Sequence, residues 1–274
     1  MFVLLVCAEG NRRIGTVGFM LVGLSLSYFG IETSAVPLLI GGALAALMAT
    51  AALTLDRVPP QPGFDLAMLS GPEVGRILRE PGMGILLVAT LLSCVPSAFY
   101  YSFVNPFLNE IGWANAAAKM SLGQFFEIGI LFAMPFFFRK LRFRQIFFWG
   151  LLLWGLRYLA FAVGRPGDQE WLLWAGIAVQ GIAFAWIVIA AQIYVDNRVP
   201  AALRSTAQGL VSFANQGIGI FLGSWLAGEV VSANTLYQGH DWASIWLVPG
   251  AVGIVAAFLF WFKFPKRAAL SGTE

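Results

Sequence analysis

Charged residues are scarce in this chain: they make up 11% of its 274 residues, and the mean hydropathy is +0.77. The sequence also has only two cysteines and one histidine. We find no nucleophile beside a base, no metal-ligand spacing and no phosphate-binding loop. The sequence therefore predicts neither an enzyme nor a metal or cofactor site, and we expect no nucleic-acid partner. Hydrophobic residues make up 59% of the chain, which is more than a soluble core requires.

Apolar runs long enough to cross a bilayer recur along the chain. About 30 Å of hydrocarbon requires roughly 20 apolar residues per helix. Runs such as Phe147–Leu153 are apolar on every side, whereas a transmembrane strand would alternate. We therefore predict an all-α integral membrane protein with about eight transmembrane helices. The predicted spans are Ile14–Ile31, Ala35–Leu55, Met83–Pro106, Ala114–Phe138, Gln145–Val163, Trp171–Val195, Ser205–Val231 and Ile245–Phe264.

The positive charges predict how these helices are oriented. Most of the 17 lysine and arginine residues fall at alternate ends of successive predicted helices. Cytoplasmic loops of membrane proteins carry an excess of both residue types. We therefore expect a multi-pass protein of the cytoplasmic (inner) membrane with both termini in the cytoplasm, as an even number of crossings requires. The lipid bilayer is its first expected partner.

Two predicted helices precede a polar, proline-rich connection, and six follow it. The connection holds an amphipathic stretch, Phe64–Leu78, which we expect to lie on the cytoplasmic membrane surface. Six helices after such a connection are typical of one half of a major facilitator transporter, which carries substrate near the bilayer midplane. The expected units are a partial N-terminal bundle of two helices (1–55), a cytoplasmic linker (56–82), a complete C-terminal six-helix bundle (83–264) and a cytoplasmic tail (265–274).

Two polar residues, Gln124 and Glu127, lie one helical turn apart inside the apolar run Ala114–Phe138. An ionisable side chain near the middle of a span costs roughly 3 kcal/mol or more, so it usually faces a protein interior or a wet cavity. Arg157 lies deep within another predicted span, and it either pairs with a group such as Glu127 or extends toward the outer interface. Glu127 is therefore the first functional candidate, for substrate contact, for an ion pair or for both.

Two further pairs of residues have spacings that place them on one helix face. Tyr101 and Asn105 are four residues apart. Such residues stack on a base and bond to a sugar, or they anchor a helix end at the membrane interface. Gly219 and Gly223 form a GxxxG face, which lets two helix backbones approach closely. We predict that these two glycines pack against a neighbouring helix.

Four local motifs resemble those of nucleoside:proton symporters of the major facilitator superfamily. They are Arg12–Phe19 at the start of the family's fifth helix, Ser121–Glu127 in its eighth, Trp154–Tyr158 in its ninth and Arg204–Gly209 at the start of its eleventh. The resemblance covers nearly the whole chain in the family's order. It aligns the first predicted helix with the family's fifth, and so implies an amino-terminally truncated member that holds the equivalents of helices 5 through 12.

The resemblance also implies a function and a site. The expected function is secondary active transport of nucleosides, or similar polyhydroxylated solutes, by alternating access and coupled to protons. Gln124 and Glu127 would line the nucleoside site, and Gln180 and Phe184 fall at matching positions of the family's tenth helix. Ala185 stands where the family tends to have an aspartate. Because alanine does not titrate, proton coupling would then depend on Glu127.

Two other functions remain open from the sequence. The first is a non-transporting protein, either a truncated remnant or a subunit that needs a partner chain to complete its N-terminal bundle. The second is a major facilitator transporter of sugars or aromatic acids, because aromatic, amide and carboxylate groups in a midplane cavity serve all of these solutes. The side chains alone do not separate these substrates.

Overall fold

The computed structural model of the protein describes residues 18, 21–31, 34–54, 72–200 and 203–265. Within these ranges the regular elements are helices, apart from an isolated β-bridge between Thr235 and His240. The predicted all-α class is therefore confirmed. The helices are α1 (21–28), α2 (Val36–Ala52), α3 (Pro72–Arg79), α4 (Met83–Glu110), α5 (Ala116–Lys140), α6 (Phe143–Val163), α7 (Glu170–Arg198), α8 (Arg204–Ala233) and α9 (Trp242–Lys263).

Six of these helices, α4 to α9, are long and apolar enough to cross a membrane. They coincide with the last six predicted spans and form the predicted six-helix bundle. The helices α1 and α2 lie on the first two predicted spans, and α2 has only 17 residues. Most of the motif Arg12–Phe19 lies outside the described residues, as does the first half of the predicted amphipathic stretch. The second half of that stretch contains α3.

Two span-length helices contain a π-helical segment. In α7 it covers Ala185–Ile189, and in α8 it covers Phe213–Gly219. Such segments widen the helix by one residue per turn and occur frequently at functional sites. Neither segment is predictable from the sequence, because no residue type marks a π turn.

Glycines allow several helices of the bundle to touch through their backbones. A Cβ atom added at Gly155 of α6 would lie 2.8 Å from the Ile254 nitrogen of α9. A Cβ atom at Gly223 of α8 would lie 2.8 Å from the Cys94 oxygen of α4, and one at Gly219 would lie equally close to the Cys94 Cβ. The two glycines of the GxxxG face therefore lie where α8 crosses α4, and a larger side chain at either would force these helices apart.

Two apolar clusters fill the bundle at different depths. One lies where α6 begins and α9 ends, and includes Phe143 and Phe264. The other lies where α4 ends and α9 begins, and includes Phe107 and Trp242. Along α6, Trp154 belongs to the first cluster and Tyr158 to the second. The two clusters are divided in the same way between Ala183 and Ile177 on α7, and between Leu131 and Met120 on α5. Arg157, Gln180 and Glu127 fall within these three intervals. The candidate polar residues therefore share one depth between two apolar layers.

Asp241 caps the amino terminus of α9. Its carboxylate accepts hydrogen bonds from the Ser244 hydroxyl at 2.7 Å and from the Ser244 backbone N–H at 3.3 Å. These hydrogen bonds hold the pKa of the Asp241 carboxyl below its ordinary value of 3.8, and the bond from the Ser244 hydroxyl has the larger effect. The ionised carboxylate therefore stabilises the start of α9.

We expect Asp241→Ala to lower the melting temperature of the purified protein at neutral pH. Because the pKa is lowered by folding, the carboxylate contributes its full stabilisation above its ordinary value and loses it as the pH falls through the lowered value. The difference between variant and wild type should therefore shrink below about pH 4. Asp168→Ala, at an exposed position in the loop between α6 and α7, is the control. A difference that stays constant down to pH 3 would contradict the role of the charge.

Candidate functional site

Arg157 lies at the centre of a buried polar cluster, and only 2% of it is exposed. One terminal nitrogen of its guanidinium donates to Gln180 Oε1, and the other donates to the Tyr158 hydroxyl at 2.8 Å. The guanidinium carbon also lies 4.3 Å from the centre of the Tyr100 ring, a distance typical of a cation–π contact. These contacts hold the cation inside the bundle and argue against the alternative that Arg157 extends toward the outer interface.

Gln180 connects the buried arginine to the open face of the bundle. Its side-chain oxygen accepts from Arg157 and from Trp154 Nε1 at 3.2 Å. Its side-chain nitrogen donates to the Tyr101 hydroxyl at 3.2 Å. Gln180 is 1% exposed, whereas Tyr101 is 52% exposed. A substrate on that face therefore meets Tyr101 before it meets Gln180.

Glu127 and Gln124 are half-buried on α5, at the crossing of α5 with α7. A Cβ atom added at Gly181 of α7 would collide with the backbone nitrogen and Cα of Glu127. A Cβ atom at Gly123 would lie 3.0 Å from the Ile177 carbonyl oxygen. The two glycines therefore bring the backbones of α5 and α7 together. This close approach places Glu127 directly beside the helix that carries Gln180.

The charge of Glu127 reaches the two tyrosines of the cluster. It acts on the Tyr100 and Tyr101 hydroxyls, and so does the opposite charge of Arg157. Both charges therefore act on the same pair of phenols. The described hydrogen bonds of the Arg157 guanidinium go to Gln180 and Tyr158, so the arginine has hydrogen-bond partners other than Glu127.

The structure places the remaining predicted site residues at the edge of this cluster. Asn105 lies one turn beyond Tyr101 on α4, and its side-chain oxygen accepts from Asn109 Nδ2 at 3.0 Å. Phe184 is half-buried and precedes the π-helical segment of α7. Ala185 is fully buried in the apolar core. The cluster therefore has aromatic and amide groups near it but no titratable group at position 185.

Three residues of the cluster were missed as site residues in the sequence: Tyr100, Trp154 and Tyr158. On α6, Trp154 lies three residues before Arg157, and Tyr158 directly follows it. The Tyr158 hydroxyl donates to the Pro96 carbonyl of α4. Aromatic residues with a polar atom next to a buried arginine were the available signal.

In the described part of the chain, no group of three or more histidine, cysteine, aspartate or glutamate side chains is placed to hold a metal ion. The polar cluster consists of amide, phenol, indole, guanidinium and carboxylate groups. Such groups recognise a small polar solute by hydrogen bonds and aromatic contacts, with the orientation fixed by a few convergent atoms.

The fold and the buried polar cluster define a membrane protein of the major facilitator type. Residues 8–269 match the family model described as nucleoside H+ symporter. The chain therefore belongs to the nucleoside H+ symporter family, as its motifs predicted. The solved structure of a mutant of the nucleoside transporter NupG superposes on it with a TM-score of 0.83 at 28% identity, covering 94% of this chain and 67% of that one.

Two curated relatives from Escherichia coli strain K12 agree with this assignment. The putative nucleoside transporter YegT is 31% identical over 270 residues, which are 92% of this chain. The xanthosine permease is 28% identical over 267 residues, again 92% of this chain. The alignments cover 64% of each relative. The chain thus spans about two thirds of the length of these relatives.

Proposed function

We propose that this protein transports nucleosides across the cytoplasmic membrane together with protons. The single observation that carries the proposal is the cluster of Glu127, Gln180 and Tyr101, held at one depth between two apolar layers by α4, α5 and α7. Membership of the nucleoside H+ symporter family supports it. Transporters of this architecture bind their substrates near the bilayer midplane, where two bundles meet.

The proposed site has a complement for each part of a nucleoside. Gln124, Glu127 and Asn105 offer carboxylate and amide atoms for the hydroxyls of the sugar or for the edge of the base. Tyr101 and Phe184 offer aromatic rings on which a base stacks. The Gln180 side chain donates a hydrogen bond to the Tyr101 hydroxyl and so holds the phenol in position. This combination explains how the site would select a polar, partly aromatic solute.

Glu127 is the proposed proton-coupling residue. A symporter needs a group whose protonation differs between its two facing states. Ala185 cannot supply one, whereas Glu127 carries a half-buried carboxylate on α5, at the crossing with the helix that holds Gln180. Protonation would remove the negative charge from this site. Substrate binding and proton binding would therefore act on the same cluster.

The proposed orientation follows the basic residues. Four cations lie where α5 ends and α6 begins: Arg139, Lys140, Arg142 and Arg144. Such a concentration is typical of a cytoplasmic loop. In this orientation α3 lies at the cytoplasmic surface, and both termini are cytoplasmic.

The test is uptake of radiolabelled uridine by liposomes that contain the purified protein. With a more acidic exterior, we expect uptake above the level of empty liposomes, and a protonophore should reduce it. Uptake that is independent of the pH gradient would contradict proton coupling and would leave nucleoside transport without it. No uptake under any gradient would contradict the transport function itself.

A further inference from the structure

The hydrogen bonds of the polar cluster have a direction, and we propose that this direction determines how the site binds its substrate. Arg157 and Trp154 orient the Gln180 amide, the amide orients the Tyr101 hydroxyl, and Tyr101 is thereby fixed as a hydrogen-bond donor to the substrate beside the Glu127 acceptor. Gln180, Arg157 and Trp154 are positioning residues in this arrangement. The inference rests on the proposed nucleoside function and adds a specific role for each of these groups.

The first step is the orientation of the Gln180 side chain. Its Oε1 atom lies against a guanidinium nitrogen of Arg157 and against the Trp154 indole nitrogen. Both of these groups are donors only. A flipped amide would place its NH2 group against two donors and leave all of them without an acceptor, which is costly in a buried site. The amide is therefore held with its oxygen toward α6 and its nitrogen toward α4.

The second step is the orientation of the Tyr101 hydroxyl. The Gln180 nitrogen lies 3.2 Å from the hydroxyl oxygen. Because an amide nitrogen does not accept hydrogen bonds, Tyr101 must accept from Gln180, and its own proton must point elsewhere. Tyr101 is 52% exposed on the open side of α4. The phenol proton is therefore available to an acceptor atom of a solute bound on that side.

The third step is the neighbouring acceptor. Glu127 is half-buried on α5, and its backbone lies against Gly181, the residue after Gln180. An ionised carboxylate accepts hydrogen bonds and donates none. The site thus presents a donor on α4 and an acceptor on α5. A nucleoside offers matching groups, with hydroxyls or N–H groups for the carboxylate and a carbonyl, ring nitrogen or sugar oxygen for the phenol.

Gln180→Glu tests this direction with almost no change in shape. One carboxylate oxygen would keep the bond to Arg157, as an ion pair, and the other would accept from the Tyr101 hydroxyl. The phenol proton would then point into the protein and no longer toward the substrate. We expect the affinity for uridine to fall about tenfold, the size expected for one lost hydrogen bond. The measurement is equilibrium binding of radiolabelled uridine to the detergent-solubilised protein.

Tyr101→Phe provides the second variant, because it removes the same donor directly. It should also weaken uridine binding about tenfold, and the double variant should bind no more weakly than either single variant. Such non-additivity is expected when two residues act through one hydrogen bond. Gln145→Glu, at the start of α6, and Tyr237→Phe, in the exposed outer loop, are the matched controls and should bind as the wild type does.

Two outcomes would overturn the inference while leaving the proposed function intact. One is wild-type affinity in Gln180→Glu, and the other is a double variant whose loss is the product of the two single losses. Failure of the wild type to bind any nucleoside would instead overturn the proposed function. If Gln180→Glu does not fold, Gln180→Met takes its place, because methionine also lacks the amide donor. Tyr101→Phe should then weaken uridine binding less in the Gln180→Met background than in the wild type.

Discussion

Glu127→Gln should reduce uridine uptake at least about tenfold, because the carboxylate supplies the only ionised acceptor that we assign to the site. A hydrogen bond to a charged group contributes about 1.5–3 kcal/mol, which corresponds to a factor between about ten and one hundred. Glutamine has nearly the same shape, so the fold should be retained. Measuring uptake into liposomes with and without a pH gradient separates the two proposed tasks. Loss of binding reduces both rates, whereas loss of coupling removes only the effect of the gradient.

The control for this variant is Glu229→Gln, the same change at an exposed position of α8. It should transport as the wild type does. Glu127→Gln with unchanged uptake and an unchanged response to the gradient would remove Glu127 from the site, and with it the explanation for proton coupling in a chain with Ala185.

Gly181→Val should have the second large effect, through the packing of two helices. The first carbon of the new side chain would collide with the Glu127 backbone, so α5 and α7 must separate. Overpacking of this kind costs about 1–3 kcal/mol, occasionally more. The shift also moves Glu127 away from Gln180, so the protein that does fold should lose uridine binding. A lower melting temperature in detergent, together with weaker binding, checks both expectations.

Gly129→Val is the matched control, because a Cβ atom at Gly129 of α5 has no neighbour within 4 Å. The substitution makes the same chemical change in a membrane helix without touching α7. It should leave both the melting temperature and uridine binding close to their wild-type values. Equal losses in the two variants would show that valine harms these helices generally, and that the crossing of α5 and α7 has no special role.

Much of the fold could be predicted because length and apolarity suffice to identify a transmembrane helix. Each of the last six predicted spans overlaps one observed helix. The boundaries were less accurate: the span predicted to end at Pro106 continues to Glu110, with both Pro96 and Pro106 inside α4. Proline is tolerated within membrane helices when other groups satisfy the freed carbonyls, so a proline does not by itself mark the end of a span.

The site was harder to predict, because its geometry depends on contacts between helices. Spacing along one helix correctly gives the common face of Gln124 and Glu127, but it cannot show that Gly181 lies against Glu127. Nor does it show that Arg157 bonds to Gln180. The sequence leaves two alternatives for Arg157, a pair with a group such as Glu127 or an extension toward the outer interface. The structure gives its guanidinium hydrogen bonds to Gln180 and Tyr158, and the glycine crossing fixes where α5 and α7 meet.

The most direct test of the account is competition for the binding site. Purified protein is equilibrated with radiolabelled uridine, and unlabelled nucleosides, maltose and an aromatic acid are added in turn. Maltose and the aromatic acid are the informative competitors, because sugars and aromatic acids are the other solutes that such a set of side chains serves. We expect uridine to bind saturably and nucleosides to displace it, while maltose and the aromatic acid do not. Binding of maltose or the aromatic acid, with none of uridine, would contradict it.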